Sequence, residues 1–131
     1  MKNIQSSGKR KSAIAHATLK KGTGKIRINK VLIDNYEKPL MYKNKIMEPI
    51  LLAENLVKNY DISIRCNGGG ISGQSDAIRL AIARAFVEVD KNLKKVYLDY
   101  DRQLIIADIR RNEKSHPNRS KPRAKRQKSY R

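Results

Sequence analysis

Residues Gly68-Gly69-Gly70-Ile71-Ser72-Gly73 match the pattern G-x-G-x-x-G, in which glycines let the backbone approach a dinucleotide pyrophosphate at a helix N-terminus. Asp90, 17 residues beyond Gly73, stands near where such a motif places an acid for the ribose. The surroundings do not fit. The motif normally opens a doubly wound fold after its first strand, and only 58 residues follow Gly73 here. Gly68 and Gly73 are also spaced as in a phosphate loop, but Gln74 occupies the position of the phosphate-binding Lys. Two readings remain open. Backbone N–H groups at Gly68, Gly69 and Gly70, with Gln74 beside them, can meet an RNA phosphate at a helix N-terminus. Equally, the glycines can serve a tight strand-to-helix turn that needs positive φ.

Other catalytic material is sparse. General acid–base or nucleophilic chemistry needs a nucleophile beside a base, or paired carboxylates with shifted pKa values. His16 falls in a strand pattern, as a packed or RNA-facing residue, and His116 falls in a polar tail. Asp99 and Asp101 flank Tyr100 and read as a solvated loop. Cys66 is the single cysteine, so neither an intrachain disulfide nor a paired-cysteine metal site can form. The expectation is a protein that is not an enzyme, with no cofactor, no metal and no small-molecule substrate.

Charge is the strongest signal. Thirty Lys and Arg against twelve Asp and Glu give a formal net charge of +18 over 131 residues. Residues 1–33 carry nine basic residues and no acid, residues 34–101 carry ten of each, and residues 102–131 carry eleven against two. The middle is neutral and each end is strongly basic. Self-repulsion of this size opposes compaction, so the partner is expected to be a polyanion. RNA fits better than a membrane, because the basic segments lack the apolar face of an interfacial helix. The N-terminal residues lack the apolar run of a signal peptide, and a cytoplasmic location is expected.

The elements that hold these groups follow from periodicity. Ser12 to Thr18 alternates with small Ala13, Ala15 and Ala17, and Lys25 to Asn29 alternates around Ile26 and Ile28. With the turn Lys20–Gly24 between them they suggest a hairpin with a basic edge at Lys25 and Arg27. A third strand is expected at Val31–Ile33. A helix of about twelve residues is expected to begin near Glu48, with Pro49 in its first turn and Leu52, Ala53, Leu56, Val57 and Tyr60 on its apolar face, Ile50 at the margin. Asp61–Asn67 reads as a strand burying Ile62, Ile64 and Cys66. After the glycines, a helix capped by Ser72 or Ser75 runs to about Asp90 on a stripe of Ile78, Ala81, Ile82, Ala85, Phe86 and Val89. Leu80 and Val87 lie on its other side, where Lys91–Tyr100 can cover them. The fold class is α+β, a small sheet covered by helices. Residues 1–113 form the globular domain, and residues 114–131 form a basic extension that cannot build a core and is expected to be disordered without RNA.

Lys9, Arg10 and Lys11 precede a strand, and Arg110, Arg111, Arg119, Lys121, Arg123, Lys125 and Arg126 lie in the closing basic segment. Together with the hairpin's basic edge at Lys25 and Arg27 they suggest clamps on RNA, since Arg and Lys neutralise phosphates and Arg stacks on exposed bases. A free-standing RNA or DNA chaperone and a small nucleotide-dependent enzyme are the rival readings.

Four stretches carry a resemblance: GKRKSAIAHA, GTGKIRIN, NGGGISGQSDAIRLAIARA and RAKRQKSYR. In that order, over residues 8–131, they resemble the family of the ninth protein of the small ribosomal subunit, and the ending QKSYR resembles its archaeal and eukaryotic branch. Ser115–Ser120 stands where that branch commonly has a Gly-Gly-Pro stretch. The resemblance implies an α+β domain like the second domain of the fifth small-subunit protein. It also implies a ribonucleoprotein role in translation, seated on ribosomal RNA and neighbouring proteins in the head of the subunit. It further implies a C-terminal tail reaching the peptidyl-site tRNA, with Arg131 at its end and Lys128 and Tyr130 close behind.

Overall fold

The computed structural model describes residues 3–125 and Ser129. Five strands form one mixed sheet: β1 (Ile4–Arg10), β2 (Ala13–Lys21), β3 (Ile26–Ile28), β4 (Val31–Leu32) and β5 (Tyr60–Asn67), in the spatial order β1-β2-β5-β3-β4. Helices α1 (Leu40–Leu52), α2 (Glu54–Val57), α3 (Ile71–Val89) and α4 (Leu93–Tyr100) complete the domain. The expected α+β class holds.

Strand alternation sets the layers. Ala13, Ala15, Ala17 and Leu19 of β2 and Ile62, Ile64 and Cys66 of β5 are buried, while Ile14, His16, Ser63 and Arg65 between them are exposed. The buried side meets α3, whose Ile78, Ala81, Ile82, Ala85 and Phe86 are buried as the periodicity predicts, with Val89 half-buried. Cys66 is the buried thiol expected of it, and burial pushes its pKa up, which keeps the thiol protonated.

Several expectations need correction. The segments Ala13–Lys21 and Ile26–Ile28 do not pair as a hairpin: β5 lies between them, antiparallel to β2 and parallel to β3. The Gly22–Lys25 loop therefore crosses the end of β5, held by the Asp61 carboxylate, which accepts from the amides of Thr23 (2.8 Å) and Lys25 (2.9 Å). The true partner of β2 in a tight hairpin is β1, through a turn at Lys11-Ser12. β3 turns into β4 through Asn29 and Lys30, both at positive φ (47° and 72°), as a type I′ turn requires. The Asn29 side chain then bonds both the N–H and the C=O of Cys66, extending the pairing beyond β3. The third strand stops at Leu32, and Ile33 opens a 3-10 turn.

The first helix begins at Leu40, directly after Pro39, and not near Glu48. Pro49 lies inside it and is buried with Ile46 and Ile50, so its missing N–H falls on the Lys45 carbonyl within the helix. Leu56 and Val57 belong to the separate turn α2, and Tyr60 starts β5. At the end of α1, the buried hydroxyl of Tyr97 on α4 donates to the Pro49 carbonyl at 2.8 Å. That carbonyl is one of the last-turn acceptors a helix leaves unsatisfied. Burial pushes the phenol's pKa up, so it stays a donor. Tyr97→Phe is expected to cost about 1–2 kcal/mol, read as a lower denaturant midpoint at unchanged m-value.

Neither Ser72 nor Ser75 caps α3. Gly70 holds the capping position with no side-chain bond, and the Ser75 hydroxyl donates to the Ser72 carbonyl. Leu80 is buried against β1 at Gly8, and Val87 is half-buried and borders a hollow together with Ser7, Lys94 and Ile105. β1 approaches α3 so closely that the Ser6 hydroxyl donates to the Ala81 carbonyl at 2.6 Å, an approach that only the glycine at position 8 permits.

Candidate nucleic-acid interface

The Gly-rich segment is first of all a turn. Gly68 and Gly69 adopt positive φ (76° and 65°), and a Cβ on Gly68 would stand 2.6 Å from the Ser12 carbonyl oxygen. Gln74, placed where a phosphate loop would have Lys, donates its amide to the Gly68 carbonyl at 3.0 Å and closes the loop. Gly70 is exposed with open space beside it. The first-turn amides of Ile71, Ser72 and Gly73 have no partner within the helix, so they leave partial positive charge at this end.

The β1–β2 turn sits directly on that loop. Gly68 faces Ser12, Gly69 faces Ala13, and Gly73 approaches the Arg10 carbonyl. The start of the C-terminal segment arrives at the same place, with Arg111 and Asn112 flanking Lys11 and Ser12. The fold thus brings Lys9–Lys11, Gly68–Gly70 and Gln74, and Arg110–Arg111 to one pole of the domain, although roughly sixty and forty residues separate them in sequence.

The cations at this pole differ in how they are engaged. Arg10 pairs with Asp108 (3.1 Å) and Asp76 (3.8 Å) and donates to the Arg110 carbonyl (3.2 Å), so it ties the departing chain to β1 and α3. Hydrogen bonds from the Arg110 side chain and amide, and then the charge of Arg10, hold the Asp108 carboxyl well below the usual carboxylate range. Arg110 is exposed although paired with Asp108, and Lys9, Lys11 and Arg111 are exposed without an ion pair among the described residues. Lys25 and Arg27 do not join the pole: Arg27 lies on β3, opposite Ser63 of β5, and Lys25 lies just before it. Arg119, Lys121 and Lys125 are exposed on irregular chain, and Arg123 pairs with Glu113. Arg126, Lys128, Tyr130 and Arg131 lie outside the described residues.

Four acids, Glu48, Asp76, Asp101 and Asp108, are organised around the internal cations Arg10 and Arg79. Asp101 is not a solvated loop residue: with Glu48 it flanks the largely buried Arg79, at 2.7 Å and 2.6 Å. Among the described residues no cluster of His, Cys, Asp or Glu could hold a metal. Asp61 is held below the ordinary carboxylate range by the amides of Lys25 and Thr23. Because its folded pKa is depressed, its contribution to stability is complete only above about pH 5 and is lost as pH falls through the folded value. Between pH 5 and pH 2 the wild-type melting temperature is expected to fall more steeply than that of Asp61→Asn, which starts lower; parallel profiles in calorimetry would contradict that role for the loop clamp.

An α+β scaffold in which internal acids hold Arg10 and Arg79, while Lys9, Lys11 and Arg111 at one pole and Arg119, Lys121 and Lys125 along the chain end carry no ion pair among the described residues, is suited to hold a polyanion. Comparison with known sequences gives the lineage. Residues 8–131 match the family described as ribosomal protein S9/S16. Over the full length of both chains, the sequence is 49% identical to the small ribosomal subunit protein uS9 of Methanococcus maripaludis. It is 45% identical, again over both full chains, to the protein of the same name from Methanothrix thermoacetophila. This chain belongs to the ribosomal protein S9/S16 family, and thereby to a class of structural, non-enzymatic proteins.

Proposed function

We propose that this chain is a structural component of the small ribosomal subunit that binds head-region ribosomal RNA, and that its basic C-terminal extension reaches the tRNA in the peptidyl site. The observation that carries the RNA reading is the convergence of Lys9 and Lys11, the first-turn amides of α3, and Arg110–Arg111 at one pole. Lys and Arg neutralise phosphates there, and a helix N-terminus favours the same charge. Arg10 acts at one remove, fixing where Arg110 and Arg111 leave the domain.

Arg119, Lys121, Arg123, Lys125 and Arg126 continue the basic path along RNA phosphates. Lys128, Tyr130 and Arg131 then meet the tRNA, a charge and stacking contact that the family resemblance assigns to the chain end. Partners are small-subunit RNA, peptidyl-site tRNA and neighbouring head proteins, in the cytoplasm.

Binding of the full-length protein to a head-region fragment of small-subunit RNA, followed by fluorescence anisotropy across salt, tests the RNA reading. If about eight phosphates are contacted, the logarithm of affinity falls with the logarithm of salt at a slope near −7. A slope near zero would contradict it.

A further inference from the structure

The helices cover one side of the sheet and leave the other bare, and the bare side is chemically one-sided. Across the register, Ser7 faces His16 and His16 faces Arg65; in the next row Thr18 faces Ser63, and Ser63 faces Arg27. Lys9 and Lys20 extend the face at opposite corners, and all these side chains except half-buried Thr18 are exposed. A shallow hollow of about 410 Å³ lies at its centre, walled by His16, Thr18, Lys20, Ser63 and Arg65 among others.

Lys9, Lys20, Arg27 and Arg65 have no ion-pair partner among the described residues, unlike Arg10 and Arg79 on the covered side. The one acid in this row of strand positions, Asp61, turns its carboxylate onto the Thr23 and Lys25 amides. An uncompensated set of four cations interleaved with hydroxyls is costly unless a polyanion lies over it. From this we infer that the open face of the sheet is a second RNA seat, which meets the pole only at Lys9 and takes the sugar–phosphate backbone of a double-stranded segment.

Duplex is favoured over single strand by what the face lacks. Sheets that read single-stranded RNA stack successive bases on several aromatic side chains, whereas this face offers a single ring, His16, and no Phe, Tyr or Trp. Duplex RNA is held instead through phosphates and 2′-hydroxyls, which lysine, arginine, serine and threonine satisfy. Local charge patterns point to Arg27 alone, because Lys20, Arg27 and Arg65 come from three strands and meet only through the β2-β5-β3 order.

The inference rests on the RNA-binding reading, and its test separates the two. Full-length protein and the triple variant Lys20→Gln, Arg27→Gln, Arg65→Gln are titrated with the head-region RNA fragment, and with a 16-base-pair RNA duplex and its single strand, across salt. The expected result is at least a tenfold loss of duplex affinity, with a salt slope shallower by about two to three units, and retention of wild-type affinity in Lys20→Arg, Arg65→Lys. Matching melting temperatures establish that the triple variant folds. If wild type binds the RNA fragment and the triple variant binds as tightly, the face is not an RNA seat and the pole reading stands; an acidic protein surface is then its occupant. Equal wild-type affinity for duplex and single strand overturns the duplex assignment, and no RNA binding by wild type overturns both readings.

Discussion

Gly8→Val is expected to yield no folded protein, and Gly8→Ala to lose at least about 3 kcal/mol, the upper range for overpacking a core. A Cβ at position 8 would stand 2.2 Å from the Ala77 carbonyl oxygen and 2.8 Å from the Ala81 nitrogen. Both are backbone atoms in the middle of α3, so no side-chain rotation relieves the contact. The strand has to move away from the helix. That movement breaks the 2.6 Å bond from the Ser6 hydroxyl to the Ala81 carbonyl and displaces Arg10 from Asp76 and Asp108. Against a total stability of about 5–15 kcal/mol, a loss of about 3 kcal/mol leaves the Ala variant folded but with a much lower midpoint, and the larger Val side chain removes what is left. Urea unfolding followed by circular dichroism reads the effect; a Gly8→Ala midpoint equal to wild type would show that β1 does not need this approach.

The second large effect is on binding. Removal of residues 114–131 is expected to leave the fold within about 0.5 kcal/mol of wild type while sharply reducing RNA affinity. Within the described residues the segment's side chains reach the rest of the chain through one exposed ion pair, Arg123 with Glu113, a type worth about 0–1 kcal/mol. The cut also spares Asp108, Arg110 and the Arg10 contacts that close the pole. What it removes is eight Lys and Arg and no acid. If half of about eight phosphate contacts belong to the extension, the salt slope falls from near −7 to near −3.5. In assembled subunits the same truncation is expected to weaken tRNA in the peptidyl site. Unfolding of the truncated protein, read by loss of its melting transition, would contradict the division into domain and extension.

Legibility in the sequence followed the distribution of large apolar side chains. β5 and α3 stood out because Ile62, Ile64 and Cys66 alternate, and Ile78, Ile82 and Phe86 recur at helical spacing. β1 gave no such signal, because its inward positions are filled by Ser6 and Gly8, chosen for closeness and not for hydrophobicity. The start of α1 was hidden by its polar MYKNK turn and by Pro49, which more often opens a helix than lies buried inside one. Chain proximity alone suggests a hairpin of Ala13–Lys21 with Ile26–Ile28, whereas β5 inserts between β2 and β3.

The candidate interface divides the same way. The Lys9–Lys11 run and the glycines were visible as local composition. The engagement of Arg10 was not, since its acids, Asp76 and Asp108, lie 66 and 98 residues away. Lys20 and Arg65 are silent in the sequence for a related reason: Lys20 lies in a short turn pair, Arg65 stands alone, and both gain meaning only from cross-strand neighbours.

Fractionation of native cell lysate on a sucrose gradient, probed for this chain and repeated at raised salt, tests the proposed role most directly. Co-sedimentation with the small ribosomal subunit that survives moderate salt is the predicted result. A chain found at the top of the gradient, free of the subunit, would contradict it.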